Sequence, residues 1–249
     1  SPVTVQDFAN YKGEWVQPVM SDYHGFRLAE LPPPANGFGA NEMLNILAAC
    51  TGKVYPGQTL ASLGEKDVRY WHMLIEAKAL AYADLNANNG DPNKNPGIGA
   101  KVKMLTSMEH ANSLCSKISP TKAMNLATAG DGPSDTIVLT TADRWGNMVA
   151  WVNSLFGSFG SGITVPGYGF ILHNRGDLFT LDPKSPNVID GNKRPYNTLG
   201  AAFAMQNGNF DGQLLALTLM GGDMQAQGHA QMMVNMIDMG ANVQAATDM

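Results

Sequence analysis

The period of the apolar positions changes near residue 135. Before it, hydrophobic residues recur mostly at helical spacing; after it they form short runs and alternations of the kind strands show. The chain opens on a short helix or turn at Thr4 to Tyr11 and two extended pieces, VQPVMSDYHG and FRLAELPPP, the second closed by three prolines. Met43, Leu44, Leu47 and Ala48 predict a helix over Ala40 to Cys50, with Gly52 placed to stop it. The strongest helical pattern covers Glu65 to Leu85, where Val68, Trp71, Leu74, Ile75, Ala79 and Tyr82 share one face and are expected to be buried. Residues 86–100 read as loop, and Lys101 to Lys117 as a shorter helix.

The segment SPTKAMNLATAGDGPSD is small, polar and rich in turn formers, as suits an exposed, cleavable or mobile linker. Beyond it, strands are expected at Thr136 to Ala142 and Met148 to Ser154, joined by a hairpin with Gly146 at positive φ. Further strands are expected at Gly169 to Leu172, Ala201 to Gln206 and Leu214 to Met220, the last two linked by QNGNFDGQ. A helix over Gln225 to Met239 stops at Gly240, and another starts at Asn242. Helices, then strands, then helix favour an α+β or layered αββα arrangement over a parallel doubly wound sheet.

Composition narrows the function classes. The 249 residues are 44% apolar and 15% charged, enough for a sizeable core. A formal charge of -5 without a basic cluster argues against nucleic acid as a partner, and no run of 18 apolar residues marks a membrane span. The opening reads as the middle of a domain with its true N-terminus missing, so cytoplasmic and periplasmic locations both stay open. Cys50 and Cys115 lack metal or redox spacing; buried free thiols are the default reading, with a disulfide between them as the alternative. Met232, Met233, Met236 and Met239 fall at helical spacing and read as core.

Candidate chemistry gathers in polar, glycine-rich segments at strand ends. Gly221-Gly222 joins an apolar strand to a helix, where its amides could meet an anion or oxyanion, or could simply allow close packing. Arg175 in HNRG and Arg194 in NKRPYNT could each bind a carboxylate or form an ordinary ion pair, and Asn197 and Thr198 add hydrogen-bonding groups to the second turn. His173 and His229 read as structural. HExxH, HxH and GxSxG are absent, so neither a metal site nor that type of hydrolase elbow is expected, and no cofactor is implied. Thr136 is by position an ordinary strand threonine. Its status changes only if the chain is cut at Asp135-Thr136, because a terminal threonine carries both a hydroxyl nucleophile and an amine base.

Taken together, these segments resemble the γ-glutamyltranspeptidase family of N-terminal nucleophile hydrolases. The resemblance rests on DxxGN at Asp143 to Asn147, FGSG at Phe159 to Gly162, PN at Pro186-Asn187, KRP at Lys193 to Pro195 and GG at Gly221-Gly222, in colinear order. It implies one four-layer αββα domain, incomplete in this chain, with residues 1–135 like the later part of a large subunit and 136–249 like a small subunit. It also implies Thr136 as processed nucleophile, Gly221-Gly222 as oxyanion hole, Ser154 at a position where the family keeps a threonine bonded to the nucleophile, and Asn197 and Thr198 in place of a substrate-holding serine pair. Partners implied are a small carboxylate-bearing or γ-glutamyl substrate and the remaining segments of the chain's own precursor, as a processed heterodimer or higher oligomer.

Departures from the family pattern shift the substrate. Phe156 and Leu178 stand where γ-glutamyl enzymes present Asn and Asp to an amino-acid head group, and Arg175 where they have Gln or Glu. HNRGxxF with GGDMQxQGH is more similar to the acylase and oxamate amidohydrolase branch, which implies hydrolysis of a small acid's amide, with γ-glutamyl hydrolysis or transfer as the alternative. A non-catalytic scaffold that never cleaves, or a small-anion binder using Arg175, is the rival from another class.

Overall fold

The computed structural model describes residues 4–125 and 135–249. Helix α1 (Val5–Asn10) precedes strands β1 (Val19–Tyr23) and β2 (Phe26–Glu30), then helices α2 (Phe38–Val54), α3 (Leu60–Leu63), α4 (Val68–Asn88), α5 (Ile98–Leu105) and α6 (Met108–Leu114). Strands β3 (Asp135–Ala142) and β4 (Met148–Phe156) follow, then β5 (Ala201–Gln206), β6 (Leu214–Thr218), α7 (Met224–Ile237) and α8 (Val243–Asp248). The architecture is α+β. Strands β1-β2-β5-β6 make an antiparallel sheet, and β3-β4 a separate hairpin that lies against β5 and β6. Because Leu28 pairs with Ala204 across β2 and β5, segments on both sides of the Asp135-Thr136 bond share one sheet.

Helices α2 and α7 cover this sheet, with α4 and α6 packed on α2. Small residues make the approach possible: Ala202 and Ala204 lie fully buried beside Leu28 and Leu217, opposite Phe38, Leu44 and Met233. Helix α2 is buried on nearly every side, which explains its running beyond the expected Cys50 and through Gly52. A mid-helix glycine costs about 1 kcal/mol relative to alanine. Burial of Leu47 and Cys50 in the same turns outweighs that, and the chain leaves the helix at Tyr55 instead, whose hydroxyl donates to the Pro120 carbonyl.

Several expectations are corrected. Helix α4 starts at Val68, capped by Asp67, and it buries Tyr70, Met73, Leu74, Ala77, Leu80 and Ala81. Val68 and Ile75 are 78% and 59% exposed, and Trp71 is also exposed, its indole held by the Glu65 carbonyl. The single helix over Lys101 to Lys117 is two, α5 and α6, because Ser107 caps a new start by accepting from the His110 amide. Gly169 to Leu172 forms no strand; positive φ at Gly167 and Gly169 bends the chain into a turn that leaves one bridge, Thr164 to Ile171. The Leu214 strand ends at Thr218, and the Met148 strand runs on to Phe156. Cys50 and Cys115 form a disulfide rather than two free thiols, since α2 and α6 pack directly on each other.

The hairpin turns behave as their residues dictate. Gly146 has φ 85°, and the Asn207-Gly208 pair that reverses β5 into β6 has φ 55° and 68°. Met233 is fully buried, and Met232 and Met239 pack against the same core. No helix among the described residues is long and apolar enough to cross a membrane. Most of the linker expected at SPTKAMNLATAGDGPSD lies outside the described residues.

Candidate active site

At the Asp135-Thr136 bond the pairing of β3 with β4 slips. Asp135 lies opposite Phe156 and Thr136 opposite Ser154, with the register shift between them. A bulge of this kind releases the ladder locally and re-aims side chains. Phe156 takes φ 75°, a left-handed conformation that a bulky residue adopts only when its surroundings impose it.

Three groups converge on the Ser154 hydroxyl as a result. It accepts from the Thr136 hydroxyl at 3.0 Å and from the Phe156 amide at 3.0 Å, and it donates to the Asp135 carbonyl oxygen at 3.0 Å. One proton and two lone pairs are thereby all used. The Thr136 hydroxyl and the carbonyl preceding it thus share one hydrogen-bonding centre. A surface cavity of about 660 Å³, lined in part by Asn153, Ser158 and Phe170, opens over this group.

The HNRG segment is pinned to the same strand end. The Asn174 amide donates to the Leu155 carbonyl at 3.1 Å, and the Gly157 amide donates to Asn174 Oδ1 at 3.0 Å. Arg175 is thereby swung in, only 5% exposed, with its guanidinium carbon 5.3 Å from the centre of the Phe156 ring. One terminal nitrogen donates to Thr198 Oγ1 at 3.2 Å; the other, Nη2, is buried with no partner among the described residues. Burial pushes the guanidinium down to about 10, which still leaves it charged at neutral pH. Arg175 forms no ion pair with any described carboxylate, whereas a buried cation is ordinarily compensated. His173 accepts from the Arg175 amide, and burial, then the nearby guanidinium, hold its pKa below the ordinary value.

Thr198 is fully buried beside Arg175, but Asn197 is used differently. Its side chain accepts from the Leu199 amide, its own amide donates to the Pro34 carbonyl, and it lines a separate cavity of about 250 Å³ with Glu14 and Arg194. Arg194 is structural, bonded to Asp91 through its main-chain and side-chain nitrogens and to Glu14. His229 pairs with Glu30 at 2.8 Å, both fully buried.

Gly221 and Gly222 follow β6 at φ 122° and 58°, and their carbonyls accept from the Met224 and Gln225 amides that open α7. Among the described residues neither glycine amide donates a hydrogen bond, although Gly222 is buried. Two amides at a helix start are suited to an anion or oxyanion. Behind them Asp223 accepts from the Tyr196 hydroxyl at 2.5 Å, and burial together with that carboxylate holds Tyr196 well above the ordinary tyrosine range. Tyr196 and Asp223 line a further cavity of about 530 Å³ with Leu178. Sequence reasoning passed over both, although Asp223 directly follows the glycine pair and Tyr196 directly precedes Asn197.

The family profile described as Gamma-glutamyltranspeptidase matches residues 1–249. A glutathione hydrolase-like YwrD proenzyme of Bacillus subtilis is 29% identical over 99% of this chain and 44% of its own length. An oxamate amidohydrolase proenzyme of Klebsiella pneumoniae is 28% identical over 98% of this chain and 43% of its own. The crystal structure of cephalosporin acylase from Bacillus halodurans superposes with a TM-score of 0.85 at 35% identity, over 99% of this chain and 42% of that one. The chain therefore spans less than half the length of these relatives, all named as acting on amides or as resembling enzymes that do. A profile match along its whole length, joined to the acylase-like fold, shows that the chain belongs to the gamma-glutamyltranspeptidase family.

Proposed function

We propose that Thr136 is the nucleophile of an autoprocessing amidohydrolase that cuts its own chain at Asp135-Thr136 and then hydrolyses an amide of a small carboxylate-bearing substrate. The observation that carries this reading is the hydroxyl relay at Ser154, which connects the Thr136 hydroxyl to the Asp135 carbonyl. In processing, Thr136 Oγ1 attacks the Asp135 carbonyl carbon while the proton of Ser154 rests on the oxygen that gathers charge. The C–N bond then breaks, the Thr136 nitrogen takes the hydroxyl's proton, and an Asp135 ester on Oγ1 remains. Water hydrolyses that ester to an Asp135 carboxylate and the free Thr136 hydroxyl, beside the amine released in the shift.

In turnover, the α-amine, with an ordinary pKa of about 8, accepts the Thr136 hydroxyl proton as Oγ1 attacks the substrate amide. That proton passes to the departing nitrogen, leaving an acyl ester that water, activated by the same amine, releases as an acid. The Gly221 and Gly222 amides stabilise the tetrahedral oxyanion, each good donor contributing about 3 kcal/mol. Arg175 binds the substrate's carboxylate through its unpaired Nη2, with Thr198 holding the guanidinium in place. Asn197 contributes through the backbone by fixing Thr198. The remaining precursor segments pair with this chain as processed subunits.

Hydrolysis or transfer of a γ-glutamyl group is the second reading, favoured by the likeness to a glutathione hydrolase-like proenzyme. Phe156 and Leu178 weigh against it, since neither side chain can pair with a substrate ammonium. The two are separated by assaying processed protein against oxamate, glutaryl amides and γ-glutamyl amides. Activity confined to γ-glutamyl compounds overturns the first reading, and activity on none of them, or activity that survives in Thr136→Ala, overturns both.

A further inference from the structure

Three side chains from three helices converge in the helical layer: Glu42 of α2, Asp84 of α4 and His110 of α6. None of these helices supplies a group to the arrangement around Thr136 and Arg175. One carboxylate oxygen from each acid and one imidazole nitrogen lie within 4.8 Å of one another. His110 Nε2 stands 2.8 Å from Asp84 Oδ2 and 3.5 Å from Glu42 Oε1. The convergence is built by the fold rather than by sequence spacing. Ser107 fixes the start of α6 through the His110 amide, and Asn45, one turn along α2 from Glu42, donates to the Thr106 carbonyl at 2.8 Å and ties α2 to the α5–α6 junction.

A second observation comes from Glu42 alone. Its side chain is fully buried, yet no hydrogen bond from a described donor reaches either oxygen. Buried carboxylates are normally satisfied, and the others among the described residues each have a partner on at least one oxygen: Asp91 takes Arg194, Glu30 takes His229 and Glu76 takes the Met124 amide. Glu42 instead faces a second carboxylate and an imidazole, an arrangement that one divalent cation would satisfy at a stroke. Asp84 and His110 keep 28% and 16% of their side-chain surface, which leaves the group a route to solvent.

We propose that Glu42, Asp84 and His110 bind a divalent transition-metal cation. Two carboxylate oxygens and one imidazole nitrogen suit zinc or manganese, with water completing the coordination. The role is structural: the cation clamps α2, α4 and α6, on the helix pair that the Cys50–Cys115 disulfide already links. A proton on Glu42 shared with Asp84 would account for the same pair without metal, and burial beside Asp84 does push Glu42 up to about 10.

The test uses the full-length protein, freed of metal by a chelator and titrated with zinc chloride and with manganese chloride by calorimetry, alongside thermal unfolding. The expected result is one cation per chain with a Kd of about 1 µM or tighter and a higher Tm in its presence. Glu42→Gln, which keeps the buried shape, and His110→Ala should each weaken binding by at least about 10-fold and remove the Tm increase. His24→Ala, at an exposed histidine, should change neither. Absence of binding, or equal binding by wild type and Glu42→Gln, overturns the proposal and assigns the pair to a shared proton or the bound metal to surface histidines.

Discussion

The hydroxyls of Thr136 and Ser154 stand 3.0 Å apart across the β3–β4 ladder, and the Ser154 hydroxyl donates a hydrogen bond to the Asp135 carbonyl oxygen. Replacing Ser154 with alanine leaves that carbonyl without its donor. Processing of Ser154→Ala should slow by about 100-fold, the effect of removing one donor to a developing oxyanion. Ser154→Thr keeps the hydroxyl and should process at close to the wild-type rate. The fraction of cut chain against time, read on a denaturing gel, checks both.

Arg175 should reveal its role through a split between stability and binding. A buried cation without a counter-charge gains little stability, so an apolar group of similar length should be tolerated. Arg175→Met is expected to leave Tm unchanged or raise it, while KM for a carboxylate-bearing amide increases by at least about 10-fold, the value of one charge-assisted pair. A variant with a lower Tm and an unchanged KM would make Arg175 a structural residue.

Gly221 tests the oxyanion assignment without a steric clash. A Cβ there would meet only Met224 Cβ at 3.5 Å, an ordinary contact, but φ 122° is closed to an L side chain. The backbone of Gly221→Ala must therefore rotate and carry the two amides with it. A fall in kcat of about 100-fold with a smaller change in KM is expected from steady-state kinetics.

Asp91 gives a pH dependence of stability. Burial opposes its ionisation, but hydrogen bonds from Arg194 outweigh that and hold its pKa below the ordinary carboxylate value. A depressed folded-state pKa means that the stabilisation is fully present above the unfolded value, near about 4, and is lost as pH falls below it. Asp91→Asn should remove this contribution and flatten the acid limb of Tm against pH. Its cost at neutral pH should be about 2 kcal/mol, less than for a fully buried pair because Arg194 is 36% exposed.

How far the sequence could be read is clearest in α4. Of the apolar face expected there, Leu74 and Tyr82 are buried, but Val68, Trp71 and Ile75 face outward, and Tyr70, Met73, Ala77 and Leu80, also at helical spacing, are buried instead. With apolar residues on most sides, periodicity establishes the helix without choosing its face; the choice is made by what α2 offers across the contact. Local signals fared better: Gly146, Asn207-Gly208, Gly240 and Asn242 each sit where their backbone or capping preference places them. Asp135, Thr136 and Ser154 were recognisable only as part of a colinear family pattern, since nothing local distinguishes that threonine from others in strands. The bulge opposite the Asp135-Thr136 bond, the ring of Phe156 beneath Arg175, the Cys50–Cys115 link and the meeting of Glu42, Asp84 and His110 all depend on residues apart in the sequence.

Cleavage at Asp135-Thr136 is the central claim, and intact mass with N-terminal sequencing of the purified full-length protein tests it most directly. The account predicts a new terminus reading TIVLTTAD in the wild type and an uncut, inactive chain in Thr136→Ala. An uncut wild type that still hydrolyses amides, or a Thr136→Ala variant cut at the same bond, would contradict it.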